Sequence, residues 1–267
     1  MNVLHVVPWE SFGGVPNYVR GLLKGLKKIG CTNICVSFNS NFDVYDRYCH
    51  VMIRKGFNQF FVKTTPDTIK AYLCSLLKIN LDIVKDSYNV DAIILNNDPR
   101  TIRLENVVRT GVPIIRVQHG TYMNYLYWYS HLPIPFIDRI KELSHVMLYH
   151  YDVLRYIRKA TKQYSNFYVV AVSERTKKEL IHQGVSPDKV YVITGGADKD
   201  VYKPLTKEYA RKTLRHMLDI SIDEDDEVLL HVGPRPRKGT HILLKAFKKM
   251  SNLKKVKVII CLLYTSP

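Results

Sequence analysis

Three short stretches bring together residue types that could act on a phosphate or a sugar. Gly233-Pro234-Arg235-Pro236-Arg237-Lys238-Gly239 lies between an apolar run, Val228 to Val232, and a helical pattern, Ile242 to Met250. Cations held between a strand end and a helix start can neutralise a diphosphate and stabilise the charge that develops as it leaves. The same composition also suits a solvated basic turn. Gly13-Gly14 follows the first apolar run, Val3 to Val7, and opens a helical pattern. Two glycines there let the backbone approach a ligand and aim N–H groups at an anion, or make a tight turn. Val117-Gln118-His119-Gly120 closes another apolar run. A histidine at that edge can hydrogen-bond a sugar hydroxyl or assist a phosphate. The remaining histidines, such as His145 and His150 on a predicted helix, read as structural.

Tyr122, Tyr125, Tyr127, Trp128 and Tyr129 crowd the stretch after His119. Aromatic rings of this kind stack on sugar faces, sit at membrane interfaces, or pack in a core. Pro133 and Pro135 predict that a loop, and not a helix, presents them.

The elements that must position these residues alternate along the chain. Val3 to Val7, Ile34 to Phe38, Ala92 to Leu95, Pro113 to Val117, Phe167 to Val172 and Val190 to Ile193 read as strands. Helical patterns separate them: Val15 to Ile29, a start at Thr65-Pro66-Asp67, Ile102 to Val108, and Glu174 to His182. Strands joined by helices imply a parallel sheet covered by its crossovers, an α/β fold. Near Tyr202-Lys203-Pro204 the rhythm changes. A helix from Tyr209 to Leu218 and an acidic turn, Asp223 to Glu227, precede a new βαβ unit ending in the strand Val256 to Ile260. The expected division is therefore 1–204 and 205–267, the second part being the incomplete start of another domain. Cys261 to Pro267 reads as a foreign tail.

Composition narrows the function classes. The 267 residues are 46% hydrophobic and 24% charged, as in a globular protein, and no run reaches the ~20 apolar residues of a membrane span. Met1 to Val7 lacks a basic leader, so a cytoplasmic site is expected, with peripheral contact at the inner membrane face as an extension of it. The five cysteines, at positions 31, 35, 49, 74 and 261, are scattered and read as reduced thiols with no metal spacing. The net charge of +16 suits an anionic partner such as a nucleoside diphosphate, a lipid-linked phosphate or an anionic membrane. Nine Lys/Arg fall between Arg235 and Lys257 without one acidic residue. The basic residues lack a motif that reads nucleic acid. Gly13-Gly14 lacks the third glycine and the following acidic residue of a dinucleotide site, which argues against NAD.

Taken in order, four stretches resemble family 4 of the retaining glycosyltransferases: Ser11 to Pro16; Val170 to Thr176 with Gly184-Val185; Val190 to Asp198 with Tyr202 and Pro204; and His231-Val232-Gly233 with Lys238-Gly239 and Ala246. The resemblance implies a GT-B fold of two facing Rossmann-like domains. It also implies transfer of a hexosyl group, with retention, from a nucleotide-sugar to a glycan, lipid-linked or small-molecule acceptor, with no metal and no further cofactor. It places Gly13 and Gly14 against donor phosphate and acceptor, and His119 against the transferred sugar. Lys238, flanked by Gly233 and Gly239, is matched to the diphosphate-holding lysine. The family's arginine after Gly233 is Pro234 here, so Arg235 takes that role by position. Gly196 and Asp198 would shape the cleft, and Tyr122, Tyr125 and Trp128 would touch the acceptor. The family's paired glutamates would lie beyond Pro267. Two other functions fit the same residues, a GT-B nucleotide-sugar epimerase and a non-catalytic nucleotide- or glycan-binding module.

Overall fold

Alternation along the first strand decides the architecture. In Asn2–Val6 (β1) and the residue after it, Val3, His5 and Val7 point to one face and Leu4 and Val6 to the other, and all five are buried. A strand buried on both sides needs neighbours at both edges and helices on both faces. The computed structural model describes residues 1–7, 14–39, 48–57, 88–96, 111–197, 199, 202–233, 238–249 and 255–261. It supplies both kinds of cover. The helix starts predicted at Thr65 and Ile102 lie outside the described residues.

The strands β2 (Thr32–Asn39), β3 (Val51–Phe57), β4 (Ala92–Leu95), β5 (Ile114–Gln118), β6 (Phe167–Ala171) and β7 (Val190–Val192) join β1 in one sheet of order β3-β2-β1-β4-β5-β6-β7. Every pair is parallel. From β1 the chain first moves toward β3, then crosses back and continues from β4 to β7, so the direction reverses between β1 and β4. Helix α1 (Gly14–Lys28) covers one face, packing Val19 and Leu23 on Val7 and Cys35, and Leu22 and Leu26 on Val3, Ile94 and Val117.

Between β5 and β6 come α2 (Tyr122–His131), α3 (Phe136–His145), a π-helical turn at Val146–His150, and α4 (Tyr151–Gln163). Helix α4 sets Val153, Leu154, Ile157 and Ala160 into the opposite face, on Leu4, Val6, Ile93, Ile114 and Phe167. Helix α5 (Glu174–His182) adds Leu180 to that face. Fully burying one such side chain contributes about 1.5–3 kcal/mol. Ser173 caps α5, its hydroxyl accepting from the Thr176 N–H at 3.1 Å, and Glu174 stands in the first turn.

The chain divides into two compact units, Met1–Ser130 with Ile140–Gly196, and His131–Arg139 with Ala197–Pro267. In the second, α6 (Lys207–Leu218), β8 (Glu227–Val232), α7 (Thr240–Lys249) and β9 (Val256–Cys261) follow one another, with β8 and β9 parallel. The acidic turn ties them together. Asp226 is buried, accepts from the Asp223 N–H at 2.7 Å and lies 3.8 Å from Lys257 on β9, while Arg211 of α6 donates to its carbonyl. Strand β9 runs through Cys261, which is thus part of the sheet; the rest of the expected tail lies outside the described residues.

Three expectations change. The aromatic stretch after His119 is helical, α2, because no proline interrupts it; Pro133 and Pro135 stand after its end and separate it from α3. Val51–Phe57 forms a strand at the sheet edge, where Arg54, Lys55 and Gly56 obscure the apolar pattern. Cys35 and Cys49 are not thiols but a disulfide: Cys35 lies in β2, Cys49 shortly before its sheet neighbour β3, and their Cα atoms are 6.0 Å apart. Their separation of 14 in sequence carries no pairing signal by itself. Cys31 is a buried free thiol and Cys261 a half-buried one. A bridge closing a loop of this length contributes about 3 kcal/mol. Alkylation of the denatured, unreduced protein is expected to leave Cys35 and Cys49 unmodified, and reduction is expected to lower the melting temperature.

Candidate functional site

In an open parallel sheet the loops at the carboxyl ends of the strands part where strand order reverses, and ligands collect in that crevice. Here the reversal lies between β1 and β4. The described residues around it are Gly14 at the start of α1, Asn96 after β4, Gln118, His119 and Gly120 at the end of β5, and Val172 and Ser173 after β6.

His119 lies on the α1 face by alternation from Ile115 and Val117. The Tyr18 ring of α1 packs edge-on against it, with centroids 4.9 Å apart and an interplanar angle of 83°. On another side of Tyr18 lies Gly195, where an added Cβ would stand 3.4 Å from the ring. Burial, and secondarily the charge of Arg116, push the His119 pKa down to about 4. Its Nε2 is buried and, among the described residues, has no hydrogen-bond partner. A neutral imidazole held this way presents one hydrogen-bonding nitrogen and no charge, which suits a hydroxyl better than a phosphate.

Asn96 continues β4, its N–H donating to the Val6 carbonyl at 3.0 Å. Its side chain is 4% exposed, and among the described residues neither amide atom has a partner. A buried amide left so costs about 1–3 kcal/mol. Composition and spacing had not singled it out, although an Asn-Asn-Asp run directly after an apolar strand is the same positional signal that marks His119. On the opposite face Arg116 donates to the Leu95 carbonyl at 3.0 Å, and Gln118 bonds the Gly120 carbonyl. Thr121 donates to Glu179 of α5, which also pairs with Arg175 at 2.8 Å.

His5 shows what a structural histidine looks like in the same sheet. Its Nε2 meets Asn33 Oδ1 at 3.2 Å, the Asn33 amide donates to the carbonyls of Leu23 and Tyr48, and burial lowers the His5 pKa to about 4.

In the second unit, Gly233 (φ 79) ends β8 and Gly239 (φ 77) precedes α7. Only glycine adopts such angles without strain, so the loop geometry depends on both. Lys238 is exposed next to Gly239, and His231 reaches Thr240 at 2.8 Å across the start of α7. Arg235, Gly13 and Asp198 lie outside the described residues. Tyr122 and Tyr125 lie on α2 with their side chains undescribed, and Trp128 is partly exposed on the same helix. Among the described residues, a Cβ at Gly14 or Gly196 would meet nothing within 4 Å, so packing there does not demand glycine at either. A cavity of about 600 Å³ on the flank of the sheet is lined by Ile115, Tyr168, Val170, Glu174, Lys177 and Ile193, among others. Among the described residues, no group of three or more His, Cys, Asp or Glu is placed to hold a metal ion.

The signature of Glycosyltransferase Family 4 matches residues 12–201, from the glycine turn past the last strand of the large sheet. The chain belongs to Glycosyltransferase Family 4. No curated relative matches this family 4 chain. Among solved structures it is similar to Anabaena Alr3699/HepE in complex with UDP-glucose, at 17% identity and a TM-score of 0.62, covering 100% of this chain and 62% of that one. A glycosyltransferase from Rickettsia africae matches at 18% identity and a TM-score of 0.56, over 97% and 68% of the two chains. Sucrose-phosphate synthase from Thermosynechococcus elongatus matches at 13% and 0.55, over 97% and 70%. These likenesses concern the fold, which is GT-B: a doubly wound parallel sheet followed by the β8-α7-β9 unit of a second Rossmann-like domain. The chain spans about three fifths of the length of the Anabaena protein.

His5 and His119 make the stability of this family 4 chain depend on pH. Each has a folded pKa of about 4 against 6.5 unfolded. Below 6.5 the unfolded chain therefore binds protons that the folded chain refuses. Stability is expected to fall as pH drops from 6.5 toward 4, with no contribution from these groups above 6.5. Urea midpoints across that window check it, and His119→Gln should flatten the slope.

Proposed function

We propose that this chain is part of a glycosyltransferase that moves a hexosyl group, with retention, from a nucleotide-sugar to a glycan, lipid-linked or small-molecule acceptor. The observation that carries this reading is membership of Glycosyltransferase Family 4 across residues 12–201. The fold shared with the Anabaena protein, solved with UDP-glucose, supports a nucleotide-sugar as donor. His119, neutral and with an Nε2 that has no partner among the described residues, is the residue that orients the sugar. Lys238 and Arg235 hold the diphosphate, and Gly14 with Gly13 lets the backbone approach it.

In this mechanism the bond from the anomeric carbon to the diphosphate oxygen breaks as the acceptor oxygen bonds to the same face. The acceptor's proton ends on the departing diphosphate. No protein nucleophile and no bound metal take part; the cations stabilise the leaving charge. The net charge of +16 favours peripheral contact with an anionic membrane at the cytoplasmic face, where a lipid-linked acceptor would lie. Among the described residues no helix is long and apolar enough to cross a membrane.

The test is release of nucleoside diphosphate together with a glycosylated acceptor, measured on the full-length protein over a panel of nucleotide-sugars. Lys238→Ala is expected to lower kcat about 100-fold, the loss typical of one donor to a developing anion. Unchanged turnover would remove Lys238 from the mechanism, and isomerisation of the nucleotide-sugar without transfer would overturn the reading.

A further inference from the structure

Two asparagines on the α1 face of the large sheet stand in opposite circumstances. Asn33, in the middle of β2, spends its amide on Leu23, Tyr48 and His5. Asn96, at the carboxyl end of β4, is as deeply buried and bonds nothing among the described residues with its side chain. The first is a structural network. The second lies at the edge where strand order reverses, one step beyond the Leu95/Arg116 pair that sets the β4/β5 register.

His119 follows on the same face of the neighbouring strand end, two residues beyond the position level with Asn96. Strand geometry separates the two Cα atoms by about 8 Å, a span that side chains of their length reduce to the size of a sugar ring. We propose that Asn96 is a sugar-binding residue, whose amide, with Nε2 of His119, takes neighbouring hydroxyls of a neutral sugar or polyol. An amide offers a donor pair and an acceptor, and each hydroxyl of a vicinal diol is both donor and acceptor, so the two sets are complementary. Neither side chain brings a charge, which separates this subsite from one built for phosphate. The assignment rests on the glycosyltransferase reading for its place in a reaction, but the orphaned amide stands without it.

Saturation-transfer NMR on the full-length protein with D-glucose, D-galactose and D-mannose tests it. At least one sugar is expected to receive saturation, with inorganic phosphate failing to displace it. Asn96→Leu, apolar and of similar size, is expected to weaken the signal about tenfold, as loss of one good hydrogen-bonding group does. The same variant should melt at the same or a higher temperature, because it removes an unsatisfied polar group from the interior. If Asn96→Leu does not fold, Asn96→Ala carries the same binding readout.

An unchanged sugar signal in the variant, displacement by phosphate, or no signal from the unsubstituted protein would overturn the proposal. A lower melting temperature in both variants would also overturn it, since the amide would then serve the fold. Transfer is read separately by nucleoside diphosphate release. Turnover without Asn96-dependent sugar binding sinks this assignment alone, and binding without turnover sinks the transferase reading alone.

Discussion

Burial of β1 on both faces is the constraint from which the rest follows. Val3 and Val7 pack under α1 while Leu4 and Val6 pack under α4. Neither face could be left to solvent without exposing several large apolar side chains. Because every pair in the sheet is parallel, each connection must cross over a face, and right-handed crossovers in opposite directions place helices on opposite faces. The covering of β1 therefore requires the chain to change direction beside it, and in sheets of this kind ligands collect at the carboxyl edge of such a change.

The crevice differs in chemistry from the core below it only in its last layer. Along β4 and β5 the α1 face is apolar at Ile94, Ile115 and Val117, then turns polar at Asn96 and His119. Low exposure suppresses ionisation of His119, and Arg116 adds to the effect. The Asn96 and His119 side chains are thus polar and uncharged, and Tyr18 packs against His119. In the second unit, Lys238 stands exposed between a strand end and a helix start.

The elements legible in the sequence were those with a strong period. Val19, Leu22, Leu23 and Leu26 recur at helical spacing and form α1; the apolar runs at 3–7, 92–95 and 167–172 appear as strands with shifts of a residue or two. What was misread lacked a local signal or carried a misleading one. Two prolines near an aromatic cluster suggest a loop, but they lie after the end of the helix. The Cys35–Cys49 bridge depends on the pairing of β2 with β3, which no spacing rule encodes.

The order of residue types by itself determined the parallel α/β class, the glycine and cationic turns, and the placing of His119 at a strand end, because periodicity and turn chemistry are local properties. Only the tertiary structure decided which polar neighbours each histidine meets. His5 is buried and His119 half-buried, and burial lowers the pKa of both to about 4. Asn33 sits beside the first, while the second presents Nε2 without a partner among the described residues. The same holds for Asn33 and Asn96. Satisfaction of a polar group depends on neighbours far along the chain, and folding alone brings them close or leaves them away.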